Sequence, residues 1–211
     1  YPGDYIIEIA KKIIKKKTFK DFSNFDKIHK KLSSVAITYS MDLIKKNLDL
    51  IGIKHDSFIY ESNLIKKNVV HKVVKKLQKE KYIYKGLLKP PKGEKTADWK
   101  SREQLLFKST DFGDDTDRPI QKADGTWTYF AGDIAYHSDK ISRKYDILIN
   151  ILGADHSGYI NRITAASKAI SKNKVDLLCK VSQLVKLFKN GQPFKMSKRA
   201  GDFISVREFL N

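Results

Sequence analysis

Apolar residues recur at three- and four-residue steps through the first half of the chain. Between residues 25 and 43 they form a single stripe, which consists of Phe25, Ile28, Leu32, Val35, Tyr39 and Leu43. This spacing predicts an amphipathic helix. A second helix is predicted from about Ser62 to Glu80. Its inward positions are Leu64, Ile65, Val69, Val70, Val73, Val74 and Leu77. Lysines cover the rest of this helix, which we interpret as a solvated face.

The pattern changes after the connector "LLKPPKGEK", which has no periodicity of its own. The segment "RPIQKADGTWTYF" predicts a hairpin around Asp124-Gly125, and a short helix is expected from Asp133. The run "DILINILGAD" is typical of a strand buried on both faces. Ser157 can cap the helix that follows, and "VSQLVKLF" predicts another strand. Strand, helix and strand imply an α/β fold with a right-handed crossover and a parallel sheet.

Composition adds a net charge of +18 in 211 residues, which favours an anionic partner such as nucleic acid. A lysine-rich compositional bias of the source would give the same charge. The single cysteine, Cys179, excludes an internal disulfide and fits a reducing cytoplasm. No run approaches the roughly 20 apolar residues of a membrane span. No zinc ligand set is apparent, and Asp111, Asp114, Asp115 and Asp117 do not follow a calcium-loop spacing. We interpret this acidic segment as a surface turn.

Candidate chemistry lies where the predicted strands end. Gly153, Asp155 and His156 follow the first strand in "GADH", and the glycine-bounded segment "GQPFKMSKRAGDF" follows the next. Ligands of open parallel sheets bind beyond the carboxyl ends of the strands. Gly153 would admit a flat base, and Asp155 would accept hydrogen bonds from a ribose or an amine. Lysines on a loop suit a polyanion that is gripped and released. Together the two segments predict a nucleotide site.

These segments resemble class I aminoacyl-tRNA synthetases, and arginyl-tRNA synthetases in particular. The similarity lies in "KMSKR", "GADH" and "DGTWTYFAGDIAYHSDKISRKYD", and also in "YPGDYI" and "GDDTDRP". It implies a mainly helical connective insertion over residues 1–97. The second half of a Rossmann-type catalytic fold would follow over residues 98–211. The family's His-x-Gly-His signature is absent, so we expect this chain to be a piece of a longer enzyme, with that signature before Tyr1.

The resemblance also implies roles for individual residues. Lys198 would stabilise the triphosphate as pyrophosphate leaves, with Lys195 assisting and Ser197 anchoring the loop. The implied ATP-binding residues are Gly153, Asp155, Lys195, Met196, Lys198 and Arg199, and Mg²⁺ would accompany the ATP. The implied arginine-binding residues are Tyr129, Asp133 and His156. A guanidinium fits a carboxylate that it can meet bidentately. Asp133 could instead be a helix N-cap, or serve as both.

The expected function is therefore ATP-dependent attachment of arginine to its tRNA through an arginyl-adenylate. The complete enzyme is expected to be a cytoplasmic monomer. Two alternatives stay open. One is a synthetase for another amino acid such as glutamate, although no arginine lies between Gly125 and Ile141 to bind a carboxylate substrate. The other is a non-catalytic basic module that binds RNA through its lysine faces.

The lysine loop gives a first prediction. In the complete enzyme, Lys198→Ala should slow adenylate formation by roughly 10²–10³-fold, the usual cost of removing one preorganised donor from developing charge. Ground-state ATP binding should change far less. Single-turnover adenylate formation measures the rate, and an unchanged rate would exclude Lys198 from the chemistry.

Overall fold

The computed structural model describes residues 3–88 and 102–194, together with Met196, Ile204 and Leu210. The chain divides into two compact units, of which one is Ile59–Leu184 and the other consists of the chain on either side of it. The predicted domain boundary near residue 97 stays a prediction.

Two helices open the chain, α1 (Asp4–Lys15) and α2 (Phe25–Leu50). α1 buries Ile9 and Ile13. The predicted stripe helix is confirmed as α2, whose first turn is capped by the Asn24 side chain accepting from the Lys27 amide at 3.2 Å.

The helix predicted over residues 62–80 is two helices, α3 (Glu61–Lys66) and α4 (Val69–Lys79). Asn68 adopts the left-handed region with φ 55°, which interrupts the helical hydrogen bonding between them. Because the break changes the helical phase, Ile65 is exposed rather than inward as predicted. Leu64 and four α4 residues are buried as expected, namely Val70, Val73, Val74 and Leu77. The lysines of this segment are exposed.

A three-stranded antiparallel sheet follows, which the sequence pattern did not predict. Its strands are β1 (Ile83–Leu87), β2 (Glu103–Phe107) and β3 (Arg118–Pro119), with β2 in the centre. The alternating, aromatic-rich "YIYKGLL" was the available signal for β1. Leu106 and Phe107 of β2 are fully buried and anchor the sheet to the core.

The acidic segment before β3 differs from the predicted surface turn at Asp114, whereas Asp111 and Asp115 are exposed as expected. Asp114 is buried, and both its oxygens accept hydrogen bonds from Arg118 at 2.7 and 2.8 Å. Burial is the largest influence and opposes ionisation of Asp114, but the hydrogen bonds and charge of Arg118, together with hydrogen bonds from the Asp115 amide and Ser109, outweigh it and lower the pKa of Asp114 to about 2. A buried carboxylate needs a cationic partner, and Arg118, four residues later in the chain, provides it.

The predicted turn at Asp124-Gly125 is confirmed. Asp124 accepts from the Thr126 amide at 2.9 Å, Gly125 has φ 81°, and an antiparallel bridge joins Gln121 to Trp127. The following helix, α5 (Tyr129–Ser142), begins four residues before the predicted start.

The predicted strand–helix–strand unit is confirmed as β4 (Ile147–Gly153), α6 (Ile160–Ser171) and β5 (Asp176–Ser182), with β4 and β5 parallel. β5 begins earlier than predicted and contains only the first two residues of "VSQLVKLF". The cap prediction was wrong, because Ala154–Tyr159 form a 3-10 helix and Tyr159, not Ser157, precedes α6.

One face of β4 is open, which contradicts the predicted burial on both faces. Ile147, Ile149 and Ile151 are 57%, 59% and 78% exposed, whereas Leu148 on the opposite face is buried. That opposite face is turned toward α5, since Asn150 on it bonds to His137 and Lys140. The last strands that the structure describes are β6 (Leu187–Lys189) and β7 (Gln192–Phe194). They form an antiparallel hairpin with its turn at Asn190 and Gly191.

A chain of hydrogen bonds fastens α5 to β4. His137 Nδ1 lies 2.8 Å from the Asp133 carbonyl oxygen one turn earlier, and Asn150 Nδ2 of β4 lies 2.9 Å from His137 Nε2. Lys140 donates to Asn150 Oδ1 at 2.8 Å. In the neutral ring, Nδ1 donates to the carbonyl and Nε2 accepts from Asn150. Burial is the main reason that the pKa of His137 is lowered below 6.5.

This burial predicts a pH dependence of stability. As pH falls below about 6.5, the unfolded chain takes up a proton that folded His137 resists, so the free energy of unfolding should fall until the lower folded pKa is passed. Above about 6.5 this contribution is fully present. Urea denaturation followed by tryptophan fluorescence between pH 8 and 5 measures it. His137→Gln should remove this part of the acid-side loss, and an equal loss in both proteins would contradict the assignment.

Candidate substrate-binding site

Tyr129 and Asp133 occupy the first two turns of α5, one helical turn apart on one face. The helix starts at Tyr129 because the Thr128 hydroxyl caps it, accepting from the Ala131 amide at 3.3 Å. Asp133 therefore lies inside the helix, and the N-cap interpretation of Asp133 was wrong. Tyr129 is 87% exposed, so its phenol is available to a ligand.

These two residues line a cavity of about 300 Å³. Its other lining residues are Ile59, Glu61, Leu64, Gly132 and Tyr136. Glu61 is the first residue of α3, and its Oε1 would lie 3.9 Å from a Cβ placed on Gly132. The cavity thus joins two carboxylates, two phenols and a short apolar wall. This combination suits a long cationic side chain with an apolar stem.

Glu61 and Tyr136 were not predicted. Tyr136 lies on the same helical face as Tyr129 and Asp133, seven and three residues after them, so its spacing from Asp133 in the predicted helix was the available signal. Glu61 is 72 residues before Asp133, and it reaches the cavity only because α3 lies beside α5. The sequence contains no local signal for that contact.

Asp133 also bonds to a residue of the segment between β4 and α6. The Tyr159 hydroxyl donates to Asp133 Oδ2 at 2.5 Å. Burial and the Asp133 carboxylate raise the pKa of the Tyr159 phenol far above its usual value, so Tyr159 remains a donor at neutral pH.

The "GADH" strand exit lies at the end of β4, where the sequence placed it. Asp155 and His156 are exposed on the 3-10 helix, with His156 Nε2 3.4 Å from Asp155 Oδ2. The Asp155 carboxylate lies against Gly153, at a place that the Cβ of any other residue would occupy. A base could approach Gly153 only after this exposed carboxylate rotates away. His156 is not among the cavity-lining residues, and its role in arginine binding stays a prediction.

Of residues 195–199 in the lysine loop, the structure describes only Met196. Met196 is described and is half exposed. Lys195, Ser197, Lys198 and Arg199 lie outside the described residues, so their roles stay predictions.

The part of the chain that the structure describes contains no group of three or more His, Cys, Asp or Glu side chains arranged to hold a metal ion. None of its helices is both long enough and apolar enough to cross a membrane.

Comparison with known proteins shows what this chain is similar to. The chain is 54% identical over 210 residues to an arginine–tRNA ligase of Pelagibacter ubique and 47% identical over 212 residues to that of Ehrlichia chaffeensis. Both alignments cover all of this chain. The predicted resemblance to arginyl-tRNA synthetases is confirmed. A solved structure assigned as an arginyl-tRNA synthetase, from Campylobacter jejuni, matches the whole chain with 34% identity and a TM-score of 0.76.

The alignments cover all of this chain but only part of each relative. The chain spans about 36–37% of the length of these arginine–tRNA ligases and 42% of the solved synthetase. No family model matches the chain. The mixed α/β architecture, with its parallel strands and helices, is that of a segment of such a synthetase.

Proposed function

We propose that this chain forms part of an enzyme that attaches arginine to its tRNA in an ATP-dependent reaction. The observation that supports the proposal best is the pair of carboxylates at one cavity. Among the described residues, neither Glu61 nor Asp133 has a cationic partner within ion-pair distance, although the chain contains 42 lysines and arginines. Carboxylates without a cationic partner in the described protein suit a cationic substrate.

Arginine fits this arrangement better than glutamate does. Asp133 can meet a guanidinium with a charge-assisted hydrogen bond, and Tyr129 offers an aromatic face beside it. A glutamate side chain would face two like charges, which costs binding free energy. The cavity lining contains no lysine or arginine that could offset them. The described site therefore favours the arginine enzyme over the glutamate alternative.

ATP would be bound by Gly153 and Asp155 at the strand exit and by the lysine loop, with Mg²⁺ accompanying its phosphates. In the first step an arginine carboxylate oxygen bonds to the α-phosphorus, and the bond between the α- and β-phosphates breaks to release pyrophosphate. Lys195, Lys198 and Arg199 would stabilise the charge that develops on the leaving phosphates, with Ser197 and Met196 shaping the loop.

In the second step the 2′-hydroxyl of the tRNA's terminal adenosine attacks the activated carbonyl carbon. The anhydride bond breaks, AMP leaves, and the hydroxyl proton is lost. The resemblance implies that tRNA is also needed for the first step. The net charge of +18 suits a polyanionic RNA partner.

The architecture fits the second half of a class I Rossmann-type fold preceded by a helical insertion. The open apolar face of β4 supports a larger assembly, because parallel sheets are normally covered on both faces. We place the complete enzyme in the cytoplasm as a monomer. The competing function, a non-catalytic basic RNA-binding module, is excluded if the complete protein catalyses arginine-dependent ATP–pyrophosphate exchange.

Asp133 provides the sharpest test of this function. In the complete enzyme, Asp133→Asn removes the charge that would face the guanidinium and keeps the shape. The loss should be about 2–5 kcal/mol in kcat/KM for arginine, the usual cost of breaking a desolvated charge pair. The KM for ATP should stay nearly unchanged. Arginine-dependence kinetics with parallel thermal melts make the measurement.

The matched control is Asp139→Asn, which removes a carboxylate from the same helix at its ion pair with Arg143, outside the cavity lining. Normal arginine kinetics in Asp133→Asn would overturn the pocket assignment.

Glu61 should have a smaller effect because its side chain is exposed, where charge interactions are screened. Glu61→Gln should raise the KM for arginine by roughly five-fold, about 1 kcal/mol, with little change in kcat. Glu103→Gln, an exposed carboxylate on β2, is the control. Equal kinetics for the two variants would remove Glu61 from the site.

A further inference from the structure

Tyr159 connects two parts of the proposed active site that are far apart in sequence. It ends the 3-10 helix that leaves β4, three residues after His156. Its hydroxyl donates to Asp133 on α5, 26 residues earlier, at 2.5 Å. The strand exit assigned to ATP and the carboxylate assigned to arginine are thus joined by one hydrogen bond.

The ring of Tyr159 is held in place independently of this bond. It packs edge-on to Phe130, with centroids 6.2 Å apart and an interplanar angle of 87°. The guanidinium of Arg162, which is on α6, lies 4.9 Å from the centroid of the Tyr159 ring. Because Phe130 is buried in the core, the direction of the hydroxyl is set by packing rather than by the substrate.

Asp133 is therefore constrained on both its backbone and its side chain. Its carbonyl oxygen accepts from His137, and its Oδ2 accepts from Tyr159. Oδ1 has no partner among the described residues. A carboxylate with one oxygen fixed and one free is oriented before the substrate arrives, which lowers the entropy cost of binding.

We propose that Tyr159 is a positioning residue for arginine recognition, acting by orienting the Asp133 carboxylate toward the cavity. This inference rests on the proposed function. Tyr159 is not among the cavity-lining residues, so its effect should depend entirely on Asp133.

The test is Tyr159→Phe in the complete enzyme, which keeps the ring contacts with Phe130 and Arg162. The KM for arginine in ATP–pyrophosphate exchange, measured with tRNA present, should rise on the order of ten-fold, as for loss of a hydrogen bond to a charged group. The KM for ATP should change by less than about two-fold. Tyr145→Phe is the control, since Tyr145 is exposed and outside the cavity lining.

A double-mutant cycle separates positioning from general stability. In an Asp133→Ala background there is no carboxylate to orient, so adding Tyr159→Phe should change kcat/KM for arginine by less than about two-fold. Equal effects of Tyr159→Phe with and without the carboxylate would overturn the proposal. A merely structural role would lower the melting temperature in both backgrounds without this dependence.

A second measurement tests the proposal even if Tyr159→Phe is destabilised and loses activity for that reason. The rise of melting temperature with added arginine reports affinity without turnover, and it should need about ten-fold more arginine in Tyr159→Phe. An unchanged arginine requirement would contradict the proposal. Failure of the proposed function has a different outcome, because the wild-type enzyme itself would then show no arginine-dependent exchange even with its tRNA present.

Discussion

The site depends on how closely α5 packs against the core. Ala131, Ile134 and Ala135 are fully buried, and α5 contacts α6, whose Ala165, Ala166 and Ala169 are fully buried as well. Small side chains allow helices to approach closely and leave no room for rotation of either one. With these positions turned inward, the helical period leaves Tyr129, Asp133 and Tyr136 facing the cavity.

The site residues come from segments that only tertiary packing brings together. Glu61 is on α3, Asp133 is on α5, and Tyr159 follows β4. Moving α5 away from α3, or away from the segment that carries Tyr159, would separate these groups. The hydrogen bonds from His137 and Asn150 add a second constraint, since they fix α5 to β4 through buried polar groups. A fully bonded polar network of this kind specifies one arrangement more strictly than apolar contact alone.

Local periodicity predicted elements whose pattern lies within a short stretch of chain, even though α2 buries none of its described residues fully. The stripe of α2 and the parallel β4–α6–β5 unit follow directly from it. The pair Tyr129 and Asp133 came from family resemblance, and the pattern placed its helix four residues late because the aromatic residues before Asp133 resemble a strand. Tertiary pairing was harder to predict. Buried Asp114 is paired with Arg118, and Glu61 reaches the cavity that Asp133 lines because α3 lies beside α5.

The error at β4 has a different cause. Its unbroken apolar run is the pattern of a strand covered on both faces, and that interpretation of the sequence was physically sound. In this structure the core covers only one face, and three isoleucines on the other remain exposed. Contiguous exposed apolar surface of this kind marks a surface for protein contact. The residue types on each face of a strand suit the surroundings of that face in the functional protein. The exposed isoleucines are therefore explained if the proposed longer enzyme supplies the second cover for the β4–β5 sheet, since an isolated sheet would favour polar residues there.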